Sequence, residues 1–199
     1  TLAAIRRAPD LLDVPSLLGL PTARRARVLR RWIAGLGLPP LPAQGVARIE
    51  YDLLVARGDS AARFDWHGAR IQRWRDVLHA GPLRDPLPPE WRVAWDGRTP
   101  LALPTGDTLA LLGASGFDAA IVVHARRGGE RLRLPGRTHA HALKHLLQDA
   151  GIPPWQRARM PLLSAADGTL LAAGDRLHAD TFAAWLEASG ARLQWTGVA

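Results

Sequence analysis

The chain has 199 residues, 47% of them apolar, enough to bury the core of one large or two small domains. No apolar run approaches the roughly 18 to 20 residues of a membrane-spanning helix, and the absence of cysteine excludes disulfides, thiolate metal sites and cysteine nucleophiles. The 26 Lys plus Arg outnumber the 18 Asp plus Glu, for a net charge of +8 and a pI near 11.4, a field that favours polyanions.

Twenty-five of the basic residues are arginines and one is a lysine, Lys144. A GC-rich coding bias would also write arginine and alanine freely, so composition alone leaves the partner open. The opening Thr-Leu-Ala-Ala-Ile-Arg-Arg has neither an initiator Met nor the apolar stretch of a signal peptide. The chain is therefore expected to be a piece of a longer protein.

Residues 1–17, Leu-rich and holding Pro9 and Pro15, read as a connector from a preceding domain. Thr22 is a candidate N-cap for a helix to about Leu36, with Gly35 and Gly37 as stop signals. Helical spacing puts Ala26, Leu29, Trp32, Ile33 and Leu36 on one face and Arg24, Arg27 and Arg31 on the other. A second helix is expected over residues 43–56, burying Val46, Ile49, Leu53 and Leu54.

The period then changes. Ala62, Phe64 and Trp66 alternate with Arg63 and Asp65 as in a strand, His67-Gly68 makes a turn, and residues 69–78 return as a second strand with a bulge. Residues 81–91 hold four prolines and read as a linker, followed by short strands near 92–95, 100–103 and 108–112. In the last third, strands are expected near 119–125, 131–134, 160–164, 169–173 and 191–196, with helices over 139–150 and 180–188. The fold class is α+β.

The densest basic stretch runs from Arg126 to Arg137, with Arg126, Arg127, Arg131, Arg133 and Arg137 around Gly128-Gly129. Glycines let backbone N–H groups approach a phosphate, and guanidinium forks bind its oxygens. On the helix expected next, Lys144 shares a polar face with His141, His145 and Gln148, and its N-terminus would add free N–H groups for phosphate. Arg157 and Arg159 would extend the basic surface. His141 and His145 have the spacing of two metal ligands on a helix, but no third ligand is evident and no metal is expected. Gly113 to Ala119 lacks the second Gly and final Ser of a pyrophosphate loop, and no catalytic motif is present.

The run Leu147-Gln148-Asp149-Ala150-Gly151-Ile152-Pro153-Pro154-Trp155-Gln156-Arg157, preceded by Gly136-Arg137 and Leu143-Lys144, continues into Pro161-Leu162-Leu163 and Leu171-Ala172-Ala173-Gly174. This combination resembles the C-terminal domain of tRNA(Ile)-lysidine synthases. Ala23-Arg24-Arg25, Leu29-Arg30-Arg31-Trp32 and Trp66-His67-Gly68-Ala69-Arg70-Ile71-Gln72-Arg73-Trp74-Arg75 resemble that family's substrate-binding domain.

The resemblance implies four segments: a connector over 1–17, a helical tRNA-binding domain with a β-hairpin over 18–80, a linker with short strands over 81–115, and a small α+β tRNA-binding domain over 116–199. It adds Arg70 and Arg73 to the residues expected to touch tRNA(Ile). It implies a parent ligase that uses ATP and Mg, held in a domain this chain lacks, to join lysine to the wobble cytidine of an isoleucine tRNA. A cytoplasmic parent, with no membrane partner and homodimeric, is part of the same expectation. This chain alone would hold no cofactor and catalyse nothing. A freestanding basic module for RNA or DNA is the rival reading, without a helix-turn-helix or RNP signature to support it.

Overall fold

A computed structural model describes residues 2–56 and 62–197, and the chain divides into two compact units, Thr1–Arg84 and Asp85–Ala199. The first unit is a layer of helices on an antiparallel sheet. Its elements are α1 (Leu2–Ile5), β1 (Arg6–Ala8), β2 (Leu11–Asp13), α2 (Val14–Leu18), α3 (Thr22–Gly35), α4 (Ala43–Arg48), β3 (Arg63–Trp66), β4 (Ala69–Trp74) and β5 (Val77–Pro82). The strand order is β1-β2-β5-β4-β3.

The apolar stripe of α3 buries Val28, Leu29, Trp32 and Ile33 in one core with Leu12, Leu17, Ile49, Leu53, Trp66, Ile71 and Leu78. Two tryptophans fix how the connecting segments enter that core. The indole N–H of Trp32 donates to the Pro9 carbonyl at 2.9 Å, and that of Trp66 to the Pro39 carbonyl at 3.0 Å. Gly45 is required where α4 crosses β3, because a Cβ there would stand 2.6 Å from the Phe64 ring.

Several sequence expectations change here. Residues 1–17 are no connector: β1 and β2 extend the sheet, and Leu12, Val14 and Leu17 are core residues. Thr22 is the first helical residue rather than the cap. The Pro21 carbonyl takes the N–H groups of Arg24 and Arg25, and the Thr22 hydroxyl accepts from Arg25. The second helix widens after Arg48 into a π-helical turn, Ile49–Leu53, which keeps Ile49, Leu53 and Leu54 inward. The strand expected over 69–78 is two strands. Arg75 adopts φ +52° and turns the chain, so Trp74 pairs with Val77 where a bulge was expected. The hairpin expected beside the helices is β3–β4, and it forms one side of a five-stranded sheet in a unit of mixed α and β content.

The second unit contains β6 (Arg92–Trp95), β7 (Leu101–Ala102), β8 (Thr108–Leu112), β9 (Ile121–His124), β10 (Arg131–Leu132), β11 (His141–Ala142), α5 (Leu143–Asp149), α6 (Pro154–Arg157), β12 (Leu162–Ser164), β13 (Leu170–Ala173), β14 (Leu177–His178), α7 (Asp180–Ala188) and β15 (Arg192–Thr196). Its main sheet has the order β14-β13-β12-β9-β6, beside a three-stranded β15-β8-β7 sheet and the β10-β11 pair. Residues 81–115 are not a linker. β6 pairs with β9 and β8 with β15, and Trp95, Leu109 and Leu111 supply core that the later strands need. The helix expected from 139 begins at Leu143, because His141 and Ala142 are held in β11 opposite Leu132 and Arg131.

Within the first unit, His79 on β5 is largely buried, 3.4 Å from Asp10 and within reach of Gln72. Burial pushes its pKa from 6.5 down to about 4, against the opposing pull of Asp10. The fold therefore prefers the neutral ring, and that preference stabilises above 6.5 and is lost as pH falls toward 4. Acidification from neutrality to about pH 5 should cost the first unit on the order of 1–2 kcal/mol. Thermal melts across that range should show the loss in the native chain and a flatter response in His79→Gln.

Candidate nucleic-acid interface

An arginine cannot shed its charge, so each must be paired, bonded to carbonyls, or left in water. Sorting the expected contact residues by that rule separates structural arginines from available ones. Arg70 and Asp65 face each other across the His67-Gly68 turn and form two bonds of 2.7 Å. The hydrogen bond from Arg70 holds the Asp65 carboxyl below its usual range. Arg73 donates to the Leu53, Leu54 and Arg75 carbonyls, tying the π-helical turn to β4. Both were expected to touch tRNA, and both are engaged inside their own unit.

Arg157 and Arg159 are engaged within their unit in the same way. Arg157 donates to the Ile152 carbonyl, and Arg159 pairs with Asp107, whose side chain is fully buried. Thr105 completes the Asp107 site through its hydroxyl. Arg126 lies 3.8 Å from Glu130 and is mostly buried, and Arg127 reaches Glu90 and the Pro89 carbonyl.

The glycine turn expected to receive phosphate is already occupied. Gly128 and Gly129 adopt φ +92° and +84°, and the Glu130 carboxylate accepts from the backbone N–H groups of Arg127 and Gly128 at 2.5 and 2.8 Å. Burial alone would raise the Glu130 pKa. The backbone donors and nearby Arg126 outweigh it and hold the carboxyl below its usual range. The nest therefore binds an anion, but the anion is the chain's own.

What remains available forms two surfaces, one on each unit. On the second unit, β10 and β11 enclose the loop 133–140 and lead directly into α5. Arg131 donates to the Ala140 carbonyl at 2.5 Å, and Arg133 pairs with Asp180 at 3.1 Å while both stay partly in water. Arg137 at the loop tip and Lys144 in the first turn of α5 are exposed, and their side chains make no hydrogen bond or ion pair among the described residues. Neither Glu130 nor Asp149 forms an ion pair with Lys144, which lies in the first turn of α5 because that helix begins at Leu143. The Leu143 N–H is spent on the Glu130 carbonyl, so the seven-residue α5 offers no ready anion site of its own.

On the first unit, Arg24, Arg27 and Arg31 of α3 line an open groove of about 700 Å³ with Leu2, Ala3, Arg6 and Val28. Arg6 on β1 escaped sequence reasoning, because only the fold brings β1 beside α3. His141 and His145 lie on a strand and a helix rather than one helical face, and among the described residues no three His, Asp or Glu side chains gather as metal ligands. Ser164 and His124 bond at 2.8 Å, satisfying polar groups between neighbouring strands.

Breaking the buried Arg159–Asp107 pair should strand a charge and cost about 3 kcal/mol. Arg159→Ala should accordingly melt well below the native chain. Arg137→Ala should melt within about 0.5 kcal/mol of it, as a surface change does. Calorimetry of the two variants checks the division, and equal losses would contradict it.

Residues 12–79 match the family model described as the TilS substrate binding domain, and residues 121–195 that described as the TilS substrate C-terminal domain. A tRNA(Ile)-lysidine synthase of Xylella fastidiosa (strain 9a5c) is 52% identical over 199 residues, covering 94% of this chain and 45% of that protein. One from Xanthomonas campestris pv. campestris (strain 8004) is 44% identical over 200 residues, covering 100% and 46%. One from Methylococcus capsulatus is 33% identical over 203 residues, covering 95% and 46%. The chain thus spans about half the length of the curated relatives it matches. A crystal structure of a TILS C-terminal domain aligns with 55% of this chain and 98% of its own, at TM-score 0.40 and 20% identity.

Proposed function

The chain belongs to the tRNA(Ile)-lysidine synthase family, and from that premise we propose that its two units hold the tRNA substrate of such an enzyme. The observation that supports this reading most is the division of its arginines. Those that could staple the fold do so, while Arg137 and Lys144 on one unit, and Arg6, Arg27 and Arg31 on the other, stand in water. Exposed cations grouped on a surface neutralise phosphates and release counterions.

In this reading the whole enzyme is an ATP-dependent ligase, with Mg, that joins lysine to the wobble cytidine of the AUA-reading isoleucine tRNA. That change moves the tRNA from methionine to isoleucine specificity. The chemistry belongs to the half of the relatives that this chain does not span. The Gly113–Phe117 loop does not fit a nucleoside triphosphate. The loop at Gly113–Phe117 is packed on its own chain: a Cβ at Gly113 would stand 2.3 Å from the Gly190 carbonyl, and one at Gly116 would stand 2.8 Å from Arg98. No step of the reaction is therefore routed through this chain, which should form no lysidine from ATP, lysine and tRNA by itself. Among the described residues no helix is long and apolar enough to cross a membrane. A cytoplasmic setting and a homodimeric parent complete the proposal.

Arg137 and Lys144 carry the second unit's share of binding. Each charge-assisted contact contributes on the order of 1 kcal/mol or more. Replacing both by alanine should weaken binding of tRNA(Ile) by about tenfold or more, with the melting curve unchanged. Lost stability at unchanged affinity per folded molecule would mean that these side chains only steady the domain.

A further inference from the structure

We infer that the groove of the first unit, walled by Arg6 on β1 and by Arg24, Arg27 and Arg31 on α3, binds a short single-stranded stretch of RNA. The inference rests on the tRNA reading above and specifies which part of such a molecule this surface takes.

Three observations carry it. The first is charge. Among the described residues, those lining the groove include four arginines and no acid. Arg24, Arg27 and Arg31 follow one another at three and four residues along α3, where like charges repel and weaken a helix. Four other arginines of the same unit each have an acid: Arg7 has Asp13, Arg25 has Glu50, Arg48 has Asp52 and Arg70 has Asp65. The side chains of Arg6, Arg27 and Arg31 make no ion pair or hydrogen bond among the described residues. The charge of Arg6, Arg27 and Arg31 is thus available to an anion that arrives from outside.

The second observation is spacing. Arg24, Arg27 and Arg31 succeed each other by about one helical turn, roughly 5.4 Å. That ladder presents guanidinium forks at successive steps along the groove, suited to successive phosphates of one strand rather than to one isolated ion. Arg6 on β1 lines the same groove and adds a fourth guanidinium from a second element.

The third observation is the apolar lining. Leu2, Ala3 and Val28 share the groove with the arginines. A duplex turns phosphates and sugars outward and offers such a surface little. A single strand exposes ribose and base, which can lie on apolar side chains while its phosphates meet the arginines. The volume, about 700 Å³, falls among pockets that enclose small molecules, commonly about 300–1,000 Å³. It therefore suits a stretch of very few nucleotides.

The test uses the whole 199-residue chain and a labelled single-stranded RNA tetranucleotide, with a blunt RNA duplex and a tetraglutamate peptide as comparison probes. Arg6→Gln with Arg27→Gln should weaken tetranucleotide binding by about tenfold or more. The double change Arg176→Gln with Arg192→Gln removes equal charge from exposed positions outside the groove and should leave it unaltered. Arg27→Glu alone gives a second reading of the same site, and a melting curve confirms that each variant is folded. Equal tetranucleotide binding by the groove variant and the control variant would overturn the inference. So would a duplex or peptide bound as tightly as the tetranucleotide. If the groove variant loses the tetranucleotide while the native chain fails to bind tRNA(Ile), the groove stands and the tRNA reading falls.

Discussion

A guanidinium stays charged at any pH a cell reaches, and this chain carries 25 of them against 18 carboxylates. That imbalance constrains every arginine. The ones that fold inward must take a carboxylate or a set of carbonyls with them, because an unpaired buried charge is too costly to keep. Asp107 is buried with Arg159 and the Thr105 hydroxyl on its carboxylate, and Glu50 is nearly buried while Arg25 grips both its oxygens and also bonds the Leu18 and Leu20 carbonyls. Once acids are committed to such joints, the surplus positive charge is left on the surface.

The joints and the surfaces are therefore two sides of one arrangement. In the first unit, Arg25, Arg70 and Arg73 lock α3, the π-helical turn and the β3–β4 hairpin into place. That frame then holds Arg24, Arg27 and Arg31 on the outer side of α3 beside Arg6. In the second unit, Glu130 fills the glycine turn, and Arg133 anchors the start of α7 through both Asp180 and its own backbone carbonyl. The loop tip with Arg137, and Lys144 beyond it, project from that frame. Each unit spends most of its acids internally and presents cations outward.

How much of this could be read from the sequence depended on range. The α3 face was legible, since spacings of three, four and seven on a helix do not need the rest of the fold. The Arg70–Asp65 pair was available too: a two-residue turn at His67-Gly68 sets 66 opposite 69 and 65 opposite 70, yet Arg70 was assigned to tRNA. The self-filled glycine turn was signalled by Glu130 following Gly128-Gly129. By contrast, Arg159 and Asp107 lie 52 residues apart, and no local pattern joins them. The turn at Arg75 was hidden because a non-glycine residue at φ +52° leaves no mark in the sequence. The roles of residues 1–17 and 81–115 were obscured because proline-rich stretches look like linkers until their leucines and tryptophan are seen filling a core.

The central claim is that the charge left over from folding is what grips the nucleic acid. Its most direct test is the salt dependence of affinity for tRNA(Ile) by the whole chain. With five unpaired cations in two surfaces engaging phosphates, log affinity should fall linearly with log salt, with a slope of about −3 to −4.5. A slope near zero would contradict the account.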